Sequence, residues 1–543
     1  MSLAVSTDDP HAGGYRPPRI SGLHDVIDAQ ARDRPDAPAL VLGDSRQAVS
    51  YRALADLADE LAHRLLAAGL HRHRPVGLVS ADNLEFVVAL LGAARAGLVL
   101  APVDPALPEA ERRHRYTALG AQAVLTGPPV SPPTGPAGGP PHWRLTVRRP
   151  GDGRYGVALD AGTTTDDAGT TADDAGTTAD DAPHGAADRL TGDDALALFT
   201  AGTTGRAKIV PLTHANVAAS LHGITTTCEL TPEDATVAAM PFFHGHGLLA
   251  GLLATLATGG RLLLPERGRF TAHTFWDDMR AVSATWYTAV PTIHQILLRR
   301  APAEYPGRSA LPLRFARSCS APLPTATAHA LEHLLDAPVL SAYGMTETTH
   351  QAASEPLDGP RDRAPGSVGR PTAGEIRVLD AGRQPCAAGT EGEVWVRGPA
   401  VARGYLAEPA ETAAAFHDGW FRTGDLGVQD AAGRLYLTGR IKNLINRGGE
   451  KISPEHVEEV LAGAPGVTEA AVFAVPDPTY GQRVGAAVVL AGGGTGTERD
   501  LLAHCREQLA PYEVPERLAI VPSLPHTAKG ALDRGAVAAL YGN

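Results

Sequence analysis

From Leu23 to Thr126 the chain alternates short apolar runs with amphipathic segments, and that rhythm limits the possible folds more than any other feature. PVGLVSA (Pro75–Ala81), LVLAP (Leu98–Pro102) and AVLTG (Ala123–Gly127) read as buried strands. YRALADLADELAHRLLAAGL (Tyr51–Leu70) and LEFVVALLGAARAG (Leu84–Gly97) carry apolar residues at helical spacing. Parallel strands joined by helices need a sheet covered on both faces, so the expected class is α/β.

The rhythm stops between Pro128 and Ala187, a stretch rich in Pro, Gly, Thr and Asp in which DAGTTAD recurs every seven residues without an apolar a/d pair. Residues 128–187 are therefore expected to be a disordered, low-complexity loop insertion. Order resumes at DALALFTAGTT, read as a strand entering a Gly/Thr turn and then the helix THANVAASLHGI, and further βα units follow to Gly344. Between about Ser367 and Thr438 the short strands EIRVLD, GEVWVRG and GRLYLTGR indicate a β-rich subdomain, and the last hundred residues read as a small α+β domain. At 543 residues two to four domains are expected. The division is a tail over 1–21, a large N-terminal domain over 22–438 and a C-terminal domain over 439–543.

Composition narrows the function. With 43% apolar and 20% charged residues, wholesale disorder is excluded. The net charge of -12 argues against a nucleic-acid partner, and seven aspartates between Asp160 and Asp181 supply much of it. Cys228, Cys319, Cys386 and Cys505 are widely spaced and form no CxxC pair, which points to reduced thiols rather than disulfides or a zinc site. No secretory h-region and no run of 18 apolar residues occurs, so the expectation is a soluble cytoplasmic protein without a membrane partner. The oligomeric state stays open.

The tetrapeptide AGTT occurs at Ala161, Ala168, Ala175 and Ala201; only the last copy is read as following a strand, and only it has a lysine, Lys208, after it. Backbone N–H groups, the hydroxyls of Thr203 and Thr204 and one ammonium suit a polyanion such as phosphate. The spacing is not that of a Walker loop.

FTAGTTGRAK, SAYGMTE, WFRTGD, GRIKNLINRGGEKISP and LPHTAKGALDR together resemble, in order and spacing, the adenylate-forming superfamily of acyl-CoA synthetases, luciferases and nonribosomal adenylation domains. The resemblance runs from about residue 22 to 535. It implies a large N-terminal domain, a mobile C-terminal domain, and an active site between them that uses ATP, Mg²⁺ and, for a CoA ligase, CoA. It further implies that Thr203, Thr204, Gly205 and Lys208 handle the β/γ-phosphates, that the Thr346 hydroxyl meets the α-phosphate, and that Glu347 holds Mg²⁺. Asp425 matches the residue that takes the ribose hydroxyls, and Arg440 the junction arginine beside it. Tyr343 and Gly344, with Ser320–Pro322, resemble the walls around adenine. Rotation is expected about Lys442 and Asn443, with Arg447–Lys451, including Gly449 and Lys451, lining a CoA channel.

Three positions depart from the pattern. Ala201 stands where serine is usual, and Asn443 where the hinge carries Asp or Glu. In the closing P-x-T-x-x-G-K pattern the lysine position holds Ala531, while Lys529 sits just before Gly530. The family lysine stabilises charge during adenylation, so Lys529 is the candidate replacement.

The region from Phe242 to Gln351 resembles the oxalate–CoA ligase branch. His244 is placed with the catalytic groups, and His246, His294, Arg317, Ser318 and His350 with the substrate, bringing donors where a fatty-acyl tunnel would be apolar. The expected partners are thus a small polar acid and an acceptor, most simply CoA. Two alternatives stay open at this level: a diazotase that activates nitrite for transfer to an arylamine, and a catalytically impaired nucleotide-binding homologue.

Overall fold

The computed structural model describes residues 19–131, 139–148, 155–161, 189–200, 207–359, 363–491, 496–527 and 532–542. The all-apolar strand Pro75–Val79 lies at the centre of a seven-stranded sheet. Its order is Gly156–Ala161, His142–Arg148, Val124–Thr126, Pro75–Val79, Val99–Pro102, Asp194–Phe199 and Ile209–Thr213. Complete burial of all five central residues is what a strand covered on both faces requires. The helix Tyr51–Ala67 starts where Ser50 Oγ accepts from the Ala53 N–H, and it buries Leu54, Leu57, Leu61 and Leu65 along one stripe. Each of those leucines contributes on the order of 2 kcal/mol. The helix Leu84–Arg95 buries eleven of its twelve residues, and Glu85 among them accepts the Val147 N–H.

Two further sheets complete the α/β body. Ala235–Val237, Arg261–Leu264, Pro38–Leu42 and Ala48–Ser50 form one. The other runs Trp286–Ala289, Phe315–Ser318, Val339–Tyr343, Ala353–Ser354 and Arg370–Pro371. The first three strands of this second sheet are parallel, with Thr288 opposite Arg317 and Ser318 opposite Ser341. Their carboxyl ends open together, the usual position for a ligand crevice in α/β sheets.

An antiparallel sheet built on Glu375–Leu379, Glu391–Arg397, Trp420–Gln429 and Leu435–Arg440 follows. A last sheet contains Ile445–Arg447, Glu450–Ile452, Val467–Asp477, Gly481–Leu490 and Arg517–Ile520. The helices Pro454–Ala462, Glu498–Gln508 and Arg534–Tyr541 pack on it over two apolar clusters that contain only residues beyond 440. Among the described residues no helix is long and apolar enough to cross a membrane.

Two expectations need correction. The segment 128–187 is not one unstructured insertion: His142–Arg148 alternates buried and exposed side chains and pairs in parallel with Val124–Thr126, and Gly156–Ala161 pairs antiparallel beyond it. HWRLTVR has a period-two pattern that its Pro/Gly-rich surroundings masked. Residues 162–188, with most of the DAGTTAD repeat, lie outside the described residues. Second, the Thr200–Lys208 turn does not run into a helix. It joins two antiparallel strands, because Ile209–Thr213 forms the sheet edge before the helix His214–Thr227 starts at its Thr213 cap. An edge position is also the one that tolerates Pro211.

Candidate active site

Beneath the carboxyl ends of the parallel strands lies a buried polar cluster. Arg317 has no exposed surface. Its Nη2 donates to Gln351 Oε1 at 2.9 Å, and its Nη1 is 3.5 Å from Thr288 Oγ1. Neither partner is charged, and among the described residues Arg317 makes no ion pair. His246, 2% exposed, sits between Ser320 Oγ (3.1 Å from Nδ1) and Thr288 Oγ1 (2.6 Å from Nε2), and its ring stacks on His350 with centroids 4.9 Å apart. His294 Nδ1 is 3.2 Å from the Tyr287 hydroxyl. Ser318 is buried beside Arg317, and Arg317 Nε, Ser318 Oγ and His350 Nε2 have no hydrogen-bond partner among the described groups. His244 is half-buried, with its ring 4.7 Å from that of Phe243.

Burial disfavours protonation of His246, His294 and His350. It pushes His294 down to about 4, against the carbonyls of Arg317 and Ala289. Burial first, and then His350 and Arg317, hold His246 well below its ordinary value; burial and Arg317 do the same to His350. The cluster at neutral pH is a guanidinium ringed by neutral imidazoles and hydroxyls.

The backbone here is unusual. Ser320, Thr349 and His350 have φ of 75°, 49° and 62°, a region that non-glycine residues seldom occupy. Thr349 is held there from both sides, its Oγ1 donating to Ala400 O and its carbonyl accepting from Ser220 Oγ, each at 2.6 Å. Gly344 is required by the same turn, since a Cβ on it would lie 2.4 Å from the His350 carbonyl carbon. His246 opens a π-helical segment, His246–Leu253, a wide turn that often marks function.

Above this cluster are two charged groupings. Tyr343 donates from its hydroxyl to Asp425 Oδ2 at 2.6 Å, and Arg440 Nε lies 2.6 Å from Asp425 Oδ1, on the strand paired in register with Asp425. Burial raises the Asp425 carboxyl, with Arg440 and Tyr343 pulling it back. Thr346 and Glu347 begin a short 3₁₀ turn. Glu347 accepts from the Tyr405 hydroxyl at 2.8 Å, and burial pushes its carboxyl up while its own N–H, Tyr405 and Lys208 oppose the shift. Lys208 pairs with Glu411. Lys442 is lowered by burial and by Arg440, with Asp425 and Glu347 acting in the other direction, so these charges lie within reach of one another.

Gly449 and Lys451 lie on the exposed hairpin of the last sheet, and none of their hydrogen bonds or ion pairs among the described residues reaches these groups. Thr203, Thr204, Gly205, Lys529 and Ala531 lie outside the described residues. Sequence reasoning missed Thr288, Gln351 and Tyr405. A threonine inside the otherwise apolar strand WYTA was the available signal for the first, and Tyr405 had none.

The family described as AMP-binding enzyme matches residues 27–406, and its companion, AMP-binding enzyme C-terminal domain, matches 456–531. The chain belongs to the AMP-binding enzyme family. This AMP-binding enzyme is 40% identical to an oxalate–CoA ligase of Arabidopsis thaliana over 96% of its own length and 98% of the relative's. It is 35% identical to a sulfoacetate–CoA ligase of Cupriavidus necator over 94% and 96%. The fold matches ATP-bound MatB from Rhodopseudomonas palustris with a TM-score of 0.79 at 29% identity, covering 96% of this chain and 99% of that one.

Proposed function

We propose that this AMP-binding enzyme is an ATP- and Mg²⁺-dependent acid–CoA ligase. It activates a small acid that bears a second anionic group, releases pyrophosphate, and transfers the acyl group from AMP to CoA. One observation carries the substrate class: Arg317 is a fully buried cation without a carboxylate partner among the described residues, and an uncompensated buried charge costs several kcal/mol unless something of opposite sign completes it. Neutral His246, His294 and His350 and Ser318 add donors around it, a lining hostile to a fatty chain and suited to a carboxylate or sulfonate. The similar ligases named for oxalate and sulfoacetate support this choice, since both acids are short and doubly acidic.

In this reading residues 22–438 form the nucleotide-binding body and 439–543 the mobile domain. Asp425, held by Tyr343 and Arg440, accepts the ribose hydroxyls, an acceptor-only role suited to a carboxylate. Tyr343, Gly344 and Ser320 border adenine. Thr203, Thr204, Gly205 and Lys208 handle the β/γ-phosphates, Lys208 alone bringing a charge, and Thr346 steadies the α-phosphate. Glu347 offers a hard oxygen donor at the cleft where Lys208 and Lys442 also project their fields, which fits Mg²⁺. That ion, when bound, offsets polyphosphate charge. Arg317 fixes the distal anion so that the reacting carboxylate points at the α-phosphorus. Lys529 is the candidate for stabilising the charge that develops there, and His244 is assigned to the same catalytic group. Lys442 lies at the hinge, and Gly449 and Lys451 flank the path for CoA.

The test is to incubate the protein with ATP, Mg²⁺, CoA and a panel of acids (oxalate, malonate, sulfoacetate, acetate, octanoate), following AMP and identifying products by mass spectrometry. Thioesters are expected from the doubly acidic members. Thioesters from octanoate or acetate alone would refute the substrate class, and no thioester from any acid would refute the acceptor.

A further inference from the structure

Tyr405 belongs to none of the groups discussed above as nucleotide or acid ligands, yet it touches two of them. Its hydroxyl donates to Glu347 Oε1 at 2.8 Å, while Lys208 Nζ stands over the face of its ring, 4.4 Å from the centroid. The side chain is 5% exposed and its ring packs edge-on against Phe416, centroids 5.6 Å apart. The backbone around it is also tied: the Tyr405 N–H donates to Thr412 Oγ1 at 2.9 Å, and the Ala402 N–H donates to the Glu347 carbonyl at 2.8 Å. A rigid aromatic plate thus fixes the distance between a carboxylate and an ammonium that are 139 residues apart in the chain by subtraction of their numbers, 347 and 208.

Lys208 has a second partner, the half-exposed Glu411 of the helix Pro409–Ala415. With the ring below and Glu411 beside it, its charge is balanced without a phosphate. An incoming polyphosphate meets the Glu411 carboxylate as a competitor for the same ammonium.

Resting on the ligase reading above, we propose that Tyr405 is a positioning residue for Mg·ATP: its hydroxyl orients Glu347 toward the cation, its ring holds Lys208 at phosphate height, and Glu411 occupies Lys208 until the polyphosphate displaces it. The hydroxyl and the ring act on different partners. Removing only the hydroxyl therefore weakens the cation-dependent part of binding, and removing the ring weakens both parts.

Calorimetric titration with ATP, in Mg²⁺ and separately in EDTA, reads this without turnover. For Tyr405→Phe the expected result is a Kd about tenfold weaker in Mg²⁺ and unchanged in EDTA, the scale of one hydrogen bond to a charged group. Tyr405→Leu is expected to weaken both, and Glu411→Gln to tighten both by about threefold. A Tyr405→Phe protein that binds Mg·ATP as wild type does, or that loses affinity equally in EDTA, overturns the positioning role. Unchanged or weaker binding by Glu411→Gln overturns the competitor role. Wild type that binds ATP in neither buffer overturns the ligase reading and this one with it, so the two failures are distinguishable.

Discussion

Arg317 illustrates how one residue can set the chemistry of a pocket. It sits in FARS, a strand buried at every position, and its neighbours there are a threonine and a glutamine rather than an acid. If it holds the distal anion of the substrate, Arg317→Met should raise KM for the acid by about 100-fold while leaving KM for ATP near wild type, because a charge-assisted contact contributes about 1.5–3 kcal/mol. Steady-state kinetics with each substrate varied in turn check this; an unchanged KM for the acid would remove Arg317 from the substrate site. Asn443 has a local reason of its own. Its Nδ2 donates to Glu455 Oε1 at 2.9 Å, and an aspartate in its place would set two carboxylates against each other.

At the scale of elements, the strand Pro75–Val79 is followed by Ser80 and Ala81 and delivers Asp82 to the interior, where Oδ1 accepts the Phe242 N–H at 2.9 Å. That bond ties the central strand to the turn carrying His244 and His246. Burial, with Asp104 adding repulsion and the Phe242 N–H opposing, pushes the Asp82 carboxyl up to about 8. The ordinary value of 3.8 applies in the unfolded chain, so folding takes up a proton between about pH 4 and 8. The stabilising contribution is complete below pH 4 and is lost as pH rises through 8. Asp82→Asn keeps the acceptor and removes the titration. Its thermal midpoint should exceed that of wild type by a few degrees at pH 9, with the gap closing toward pH 5; a gap that does not vary with pH would refute this assignment.

For the whole molecule, one polar contact joins the α/β body to the helices that cover the last sheet. The helix Thr325–Leu335 begins without a side-chain cap of its own, and Glu459, from the helix Pro454–Ala462, accepts the Thr325 N–H at 3.1 Å. A cap contributes about 1 kcal/mol, enough to change the balance between two domain arrangements about fivefold. On the proposal that residues 439–543 rotate, Glu459→Ala should shift the solution scattering profile away from the one calculated for this arrangement, and bound ATP should restore it. Identical profiles for variant and wild type would mark the contact as incidental.

The amino-acid sequence by itself determined the α/β class, the β-rich sheet near its end and the family. Those rest on short-range quantities: the period of apolar residues along Tyr51–Ala67, the unbroken apolar run of Pro75–Val79, and motifs whose residues lie within a few positions of one another. Periodicity misread HWRLTVR and the edge strand Ile209–Thr213, because each draws its stability from a neighbouring strand and not from its own pattern. Only the tertiary structure decided that Arg317 has no counter-ion among the described residues, that Thr349 and His350 turn through left-handed backbone beneath Gly344, and that Tyr405 reaches both Glu347 and Lys208. Charge balance, close approach and side-chain reach are properties of groups brought together from distant parts of the chain, and they have no expression until the sheets place those groups around one cleft.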